Sequence, residues 1–157
     1  MFSRVLLCYD GSAAGRRALK RGGELAILLK ARVYVLSIIP EGVADPAVHA
    51  GAIGHACLID PTEEYRKMLA DCIVRLKARG VEAEGFLATG NIVEQILAHA
   101  QRLKIDLIVL GYYPKPGGYW WAGPQRRLTL AERAKCCILV AVDDASMAEA
   151  PAATAGH

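Results

Sequence analysis

Residues able to do chemistry gather at a few places in the chain. Asp10, followed by Gly11 and Ser12, offers a carboxylate in a turn sequence where aspartate ordinarily accepts hydrogen bonds from nearby backbone amides. Lys115, Arg126 and Arg127 bracket a glycine- and proline-containing stretch; they could pair with phosphate oxygens, although a solvated helix face is the simpler account. Tyr112, Tyr113, Tyr119, Trp120 and Trp121 place five aromatic rings in ten positions. Such rings anchor protein interfaces, stack on bases as a ligand lid, or fold back to plug a sheet end, and partner contact stands slightly ahead of the other two. His49, His55 and Cys57 invite a metal reading, which fails for want of a fourth ligand and of zinc spacing. No Ser/His/Asp, Cys/His or paired-carboxylate arrangement announces itself, so no catalytic residue and no metal ligand is assigned.

These groups must be held by alternating strands and helices. Residues 5–9 form a continuous apolar run that stops at Asp10-Gly11-Ser12, the pattern of a strand buried on both faces. Ser12 can cap a helix over residues 13–30, with Leu19, Ala26, Ile27 and Leu29 turned inward and Arg16, Arg17, Lys20 and Arg21 on the polar side. The pair Gly22-Gly23 weakens that helix. Residues 33–39 predict a second strand closed by Pro40, and residues 41–59 a long loop. Asp60-Pro61-Thr62-Glu63 has helix-start chemistry, and Tyr65, Met68, Leu69, Cys72, Ile73 and Leu76 recur at helical spacing up to Gly80. A third strand over 81–88 follows, then a helix through Leu103 opened by Asn91 with Glu94 as a capping pair. A strand over 106–111, a helix over 124–135 and a last strand over 137–142 complete the series.

Five strands alternating with four helices, with no tight hairpin, predict an α/β fold: a doubly wound, Rossmann-like, five-stranded parallel sheet with helices on both faces. Ligands in such sheets lie at the carboxyl ends of the strands, here Tyr9-Asp10-Gly11, Ile38-Ile39 and Leu110-Gly111. One domain is expected over residues 1–143, with a flexible tail over 144–157.

Composition narrows the function classes. With 157 residues, 54% hydrophobic and 22% charged, the chain can bury a core of its own. A net charge of +3 does not call for a nucleic acid or a membrane as partner, and the Arg16–Arg21 cluster reads as a solvated face. Five cysteines at irregular spacing form neither a CxxC pair nor a closed disulfide set. Reduced thiols, together with an opening apolar run too short for a signal segment, predict a cytoplasmic protein. Cys136-Cys137 reads as a pair of small hydrophobes leading into a buried strand.

The first apolar strand ending in Asp-Gly-Ser, the Gly90 turn, the run Asp106-Leu107-Ile108-Val109-Leu110-Gly111 and the final apolar strand, in that order, resemble the universal stress protein family over residues 3–143. In its nucleotide-binding members, the fourth strand is followed by Gly, two residues, Gly, nine residues and Gly-Ser or Gly-Thr, which hold the phosphates of ATP. Anchored at Gly111, the second glycine falls on Pro114 and the closing pair on Pro124-Gln125. Proline has no amide N–H to give a phosphate, so the resemblance implies a degraded cradle. If a site survives for ATP or AMP with magnesium, the resemblance assigns it to Tyr9, Asp10, Gly11, Ile38, Leu110, Gly111, Gln125 and Arg126. Asp10 would stand in place of the acid beside nucleotide and metal, and Ile38 in place of the residue that touches adenine. The resemblance also implies a homodimer formed through the last strand: Ile138, Leu139, Val140, Ala141 and Val142. A cytosolic stress-response module that binds or regulates is therefore expected, with an adenine-nucleotide binder as the alternative.

Overall fold

A computed structural model of the protein describes residues 1–41, 61–112 and 124–142. Nine elements follow in strict alternation: β1 (Arg4–Cys8), α1 (Ala13–Leu29), β2 (Arg32–Pro40), α2 (Pro61–Ala78), β3 (Ala83–Gly90), α3 (Ile92–Arg102), β4 (Leu107–Tyr112), α4 (Pro124–Arg133) and β5 (Cys137–Val142). The strands make one five-stranded sheet in the order β3-β2-β1-β4-β5, and every pairing is parallel.

That order follows from handedness. Each strand-helix-strand crossover must be right-handed, so helices switch face where the chain reverses its direction of travel across the sheet. The first two crossovers step from β1 to β2 to β3. Their helices α1 and α2 cover one face, where Val5, Leu7, Val33, Val35 and Val109 meet Ala18, Ala26, Leu69, Cys72 and Leu76. The chain then returns past β1, and α3 and α4 cover the other face, where Leu6, Leu36, Ile108 and Leu110 meet Ile92, Ile96, Ala100 and Leu130. The seam between β1 and β4 is the switch point.

Both faces of the inner strands are dry, so the alternation of a half-exposed sheet is absent from β1 and β2. Ile96, at 0% exposure, pins α3 to the sheet; its truncation to alanine is expected to cost about 2–5 kcal/mol.

Three expectations need correcting. The Gly22-Gly23 pair is a packing device in α1, not a weak point: a Cβ at Gly22 would run into the side chain of Leu7, and one at Gly23 would sit 3.1 Å from Leu76 Cδ2. The missing side chains let α1 lie close on β1 and on α2. Conversely, Ile27 does not face the core; it is 45% exposed, as it falls on the outer stripe of α1 with Lys20 and Glu24. β5 differs from expectation as well. It is an outer strand of the sheet, with Cys137 exposed and only Ala141 buried, so Cys136-Cys137 does not lead into a buried strand. Among the described residues, Cys8, Cys72, Cys136 and Cys137 are free thiols. Burial pushes the Cys72 thiol up to about 12 against the opposing pull of Arg75.

Candidate ligand site at the carboxyl ends of the strands

Asp10 and Gly111 both follow the last residues paired between β1 and β4, Leu7 and Val109, and both lie against the opening turn of α1. Asp10 is committed to the turn it occupies. Its Oδ1 accepts from the Ser12 amide at 2.9 Å and from the Ser12 hydroxyl at 2.5 Å. Ser12 Oγ in turn accepts from the Gly15 amide at 2.9 Å, which makes it the N-cap of α1. Carboxylate, hydroxyl and amide thus form a relay that closes the first turn of α1. Gly11 sits between them at φ +78°, with Met68 of α2 packed over it. Burial first, then the charge of Asp10, raises the pKa of the Tyr65 phenol on the same helix.

Gly111 is required for packing. A side chain there would strike the backbone carbonyl of Ala14 and come within 2.9 Å of the Gly15 amide, so its bare Cα lets β4 approach the opening turn of α1. Tyr9 and Leu110 are 6% and 2% exposed, and Ile38 is 1% exposed within the core under α3. The Tyr9 carbonyl accepts the buried Ser37 hydroxyl at 2.8 Å. Of the eight residues that the resemblance nominates, Asp10, Gly11 and Gly111 therefore share the strand ends, whereas Tyr9, Ile38 and Leu110 present little surface.

Gln125 is exposed in the first turn of α4, and its carbonyl accepts Thr129 Oγ1 at 2.9 Å. Arg126 stands with Glu41, Gly90, Asn91 and Thr129 around a cleft of 420 Å³ between the ends of β2 and β3 and the starts of α3 and α4. Arg127 stacks its guanidinium over the Tyr112 ring, 4.1 Å from the centroid. Tyr113, Tyr119, Trp120, Trp121, Pro114 and Lys115 lie outside the described residues, as do His49, His55, Cys57 and Asp60.

Two polar devices escaped the sequence reading. Glu94 does not complete a capping box with Asn91. Asn91 Oδ1 accepts the Glu94 amide at 3.2 Å as expected, but the Glu94 carboxylate makes a forked pair with Arg133 of α4, one limb at 3.1 Å. That hydrogen bonding lowers the Glu94 pKa. Asp106 forms a latch at the opposite end of the sheet, accepting from the amides of Ser3 at 2.8 Å and Arg4 at 3.1 Å and from the Ser3 hydroxyl at 2.9 Å. Burial works against its charge, yet these bonds together hold its carboxyl below the usual range.

Residues 1–117 match the family model described as the universal stress protein family. The chain belongs to that family. The universal stress protein YxiE of Bacillus subtilis is 29% identical over 119 residues, spanning 71% of this chain and 79% of YxiE. Among solved structures, a universal stress protein family member from Burkholderia pseudomallei superposes with a TM-score of 0.65 at 23% identity, over 88% of this chain and 95% of that one. A universal stress protein from Archaeoglobus fulgidus, solved in complex with dAMP, superposes with a TM-score of 0.60 at 16% identity, over 89% of this chain and 97% of its own. Among the described residues, no helix is long and apolar enough to cross a membrane.

Proposed function

We propose that this universal stress protein is a cytoplasmic, homodimeric stress-response module that binds or regulates rather than catalyses, and that it does not hold ATP in the family's glycine cradle. One observation carries the reading: the strand-end groups best placed for a nucleotide already serve the fold. Asp10 is engaged by Ser12, and Gly111 is taken up by the approach of Ala14. Pro124 opens α4 where the family pattern needs a glycine amide, and proline has none to donate. The residues present therefore do not fit the standard phosphate loop. β5 supports the dimer, because this outer strand leaves Leu139, Val140 and Val142 exposed at 36%, 38% and 51% and carries no charge to discourage edge pairing.

A second reading keeps adenine-nucleotide binding, through AMP or ATP with magnesium, in an altered pocket. The cleft beside Arg126 and the dAMP complex of the Archaeoglobus relative favour it. Arg126 would supply a guanidinium fork in place of lost amides. The purified protein decides between them. Acid extraction should release no stoichiometric adenine nucleotide, and phosphate release from ATP should not exceed that of Asp10→Ala. A stoichiometric nucleotide in the extract would establish the second reading in place of the first.

A further inference from the structure

Positive charge is unevenly distributed in this molecule. Residues 13–30 and 75–79 contain eight cations and a single acid, a local charge of +7 in a chain whose total is +3, so the rest of the protein is net negative. These two segments meet along a groove of 450 Å³ between α1 and α2. Leu19 and Ala78 give it apolar surface above the buried Leu76, and it is flanked by Arg16 and Lys20 from α1 and by Arg75 and Arg79 from α2.

Cations set against each other across one groove repel, and the repulsion is screened only partly where the charges converge on an apolar floor. Internal compensation is incomplete. Arg79 reaches Glu24 at 3.8 Å, and Glu24 also holds Arg21 at 3.1 Å. Arg16 donates to the Gly11 carbonyl at 2.6 Å, which fixes its position without neutralising it. Asp71 lies one turn before Arg75 on α2, yet no ion pair among the described residues engages Lys20 or Arg75.

An occupant of this groove must bring both carboxylates and aliphatic surface. Three of the four flanking cations are arginines, whose planar forks match carboxylates in two-point pairs. A trough between two neighbouring helices is the shape into which an amphipathic helix lays its apolar stripe. A bilayer surface is flat and would touch the helix crests while leaving the apolar surface of Leu19 and Ala78 unfilled. We propose that the α1–α2 groove docks an acidic amphipathic helix of a partner protein, with aliphatic side chains on Leu19 and Ala78 and carboxylates on Lys20, Arg75 and the flanking arginines. This surface is separate from the strand ends and does not depend on whether a nucleotide binds there.

The protein is titrated into a fluorescein-labelled peptide of about 16 residues, with leucines at i, i+3, i+4 and i+7 and alternating glutamates and alanines elsewhere, so that like charges do not unwind it. Anisotropy should rise to saturation. The double reversal Lys20→Glu/Arg75→Glu should weaken binding about tenfold or more, because it removes two charge-assisted contacts and adds repulsion. Both residues are exposed, so circular dichroism should show an unchanged fold. Lys135→Glu, outside the groove, should bind as the unaltered protein does. The proposal is overturned by equal binding of a scrambled peptide of the same composition, by an equal loss in Lys135→Glu, or by absence of binding. Vesicles of phosphatidylcholine with phosphatidylglycerol are the remaining arm: binding to them and not to the peptide, abolished by the double reversal, would assign the surface to a membrane and sink the peptide proposal.

Discussion

A methyl group at Gly111 has no room beside the Ala14 carbonyl, so this residue is needed whether or not a phosphate ever lies against it. Gly111→Ala is accordingly expected to lower the unfolding free energy by about 1–3 kcal/mol, the usual range for overpacking, as read from urea denaturation. An unchanged midpoint would mean that the close approach is not sustained in solution. Asp106 yields a prediction with a definite sign. Its folded pKa is lowered relative to an unfolded value of about 3.9, so its contribution is present above that value and lost as pH falls through the folded pKa. Asp106→Asn should be less stable than the unaltered protein at neutral pH, and the gap should close as pH falls through the lowered folded pKa and the aspartate itself protonates. A gap that persists undiminished in strong acid would place the effect in packing, not in charge. Neither Asp106 nor Glu94 could be read correctly from its neighbours in sequence, because their partners stand 103 and 39 residues away and a distant partner leaves no local period.

Strands and helices were far more legible than side-chain partners. A strand buried on both faces writes itself as a continuous apolar run, and Ser12 and Asn91 mark helix starts by the chemistry that satisfies free amides. The same logic misled where one element leans on another: Gly22-Gly23 resembles a helix defect until Leu7 and Leu76 are seen against it. β5 shows the limit most clearly. Its run of Cys137-Ile138-Leu139-Val140-Ala141-Val142 reads as buried, whereas the described residues give it one neighbour, β4, and leave its valines exposed. A second copy of the chain would restore that burial. Val140→Lys combined with Val142→Lys should therefore give monomers in sedimentation equilibrium with the circular dichroism spectrum intact. An undiminished dimer would put the interface elsewhere.

For the molecule as a whole, the alternation of elements implied a parallel sheet, but the order β3-β2-β1-β4-β5 only emerges once helices are assigned to faces. That order brings the ends of β1 and β4 to the opening turn of α1, where Asp10 accepts from Ser12 and Gly111 makes room for Ala14. The family resemblance predicted a site, and the fold gives Asp10 and Gly111 structural roles that do not require a phosphate. Trp120 and Trp121 are the two tryptophans of the chain and fall in the stretch of sequence where the family pattern would place the phosphate loop. Titration with ATP and magnesium, followed by their emission and by calorimetry on the same samples, is thus the most direct trial of the central claim. No saturable signal by either method at millimolar ATP is the predicted result. Saturable micromolar binding that Asp10→Ala weakens would contradict it and make the protein a nucleotide sensor with an altered pocket.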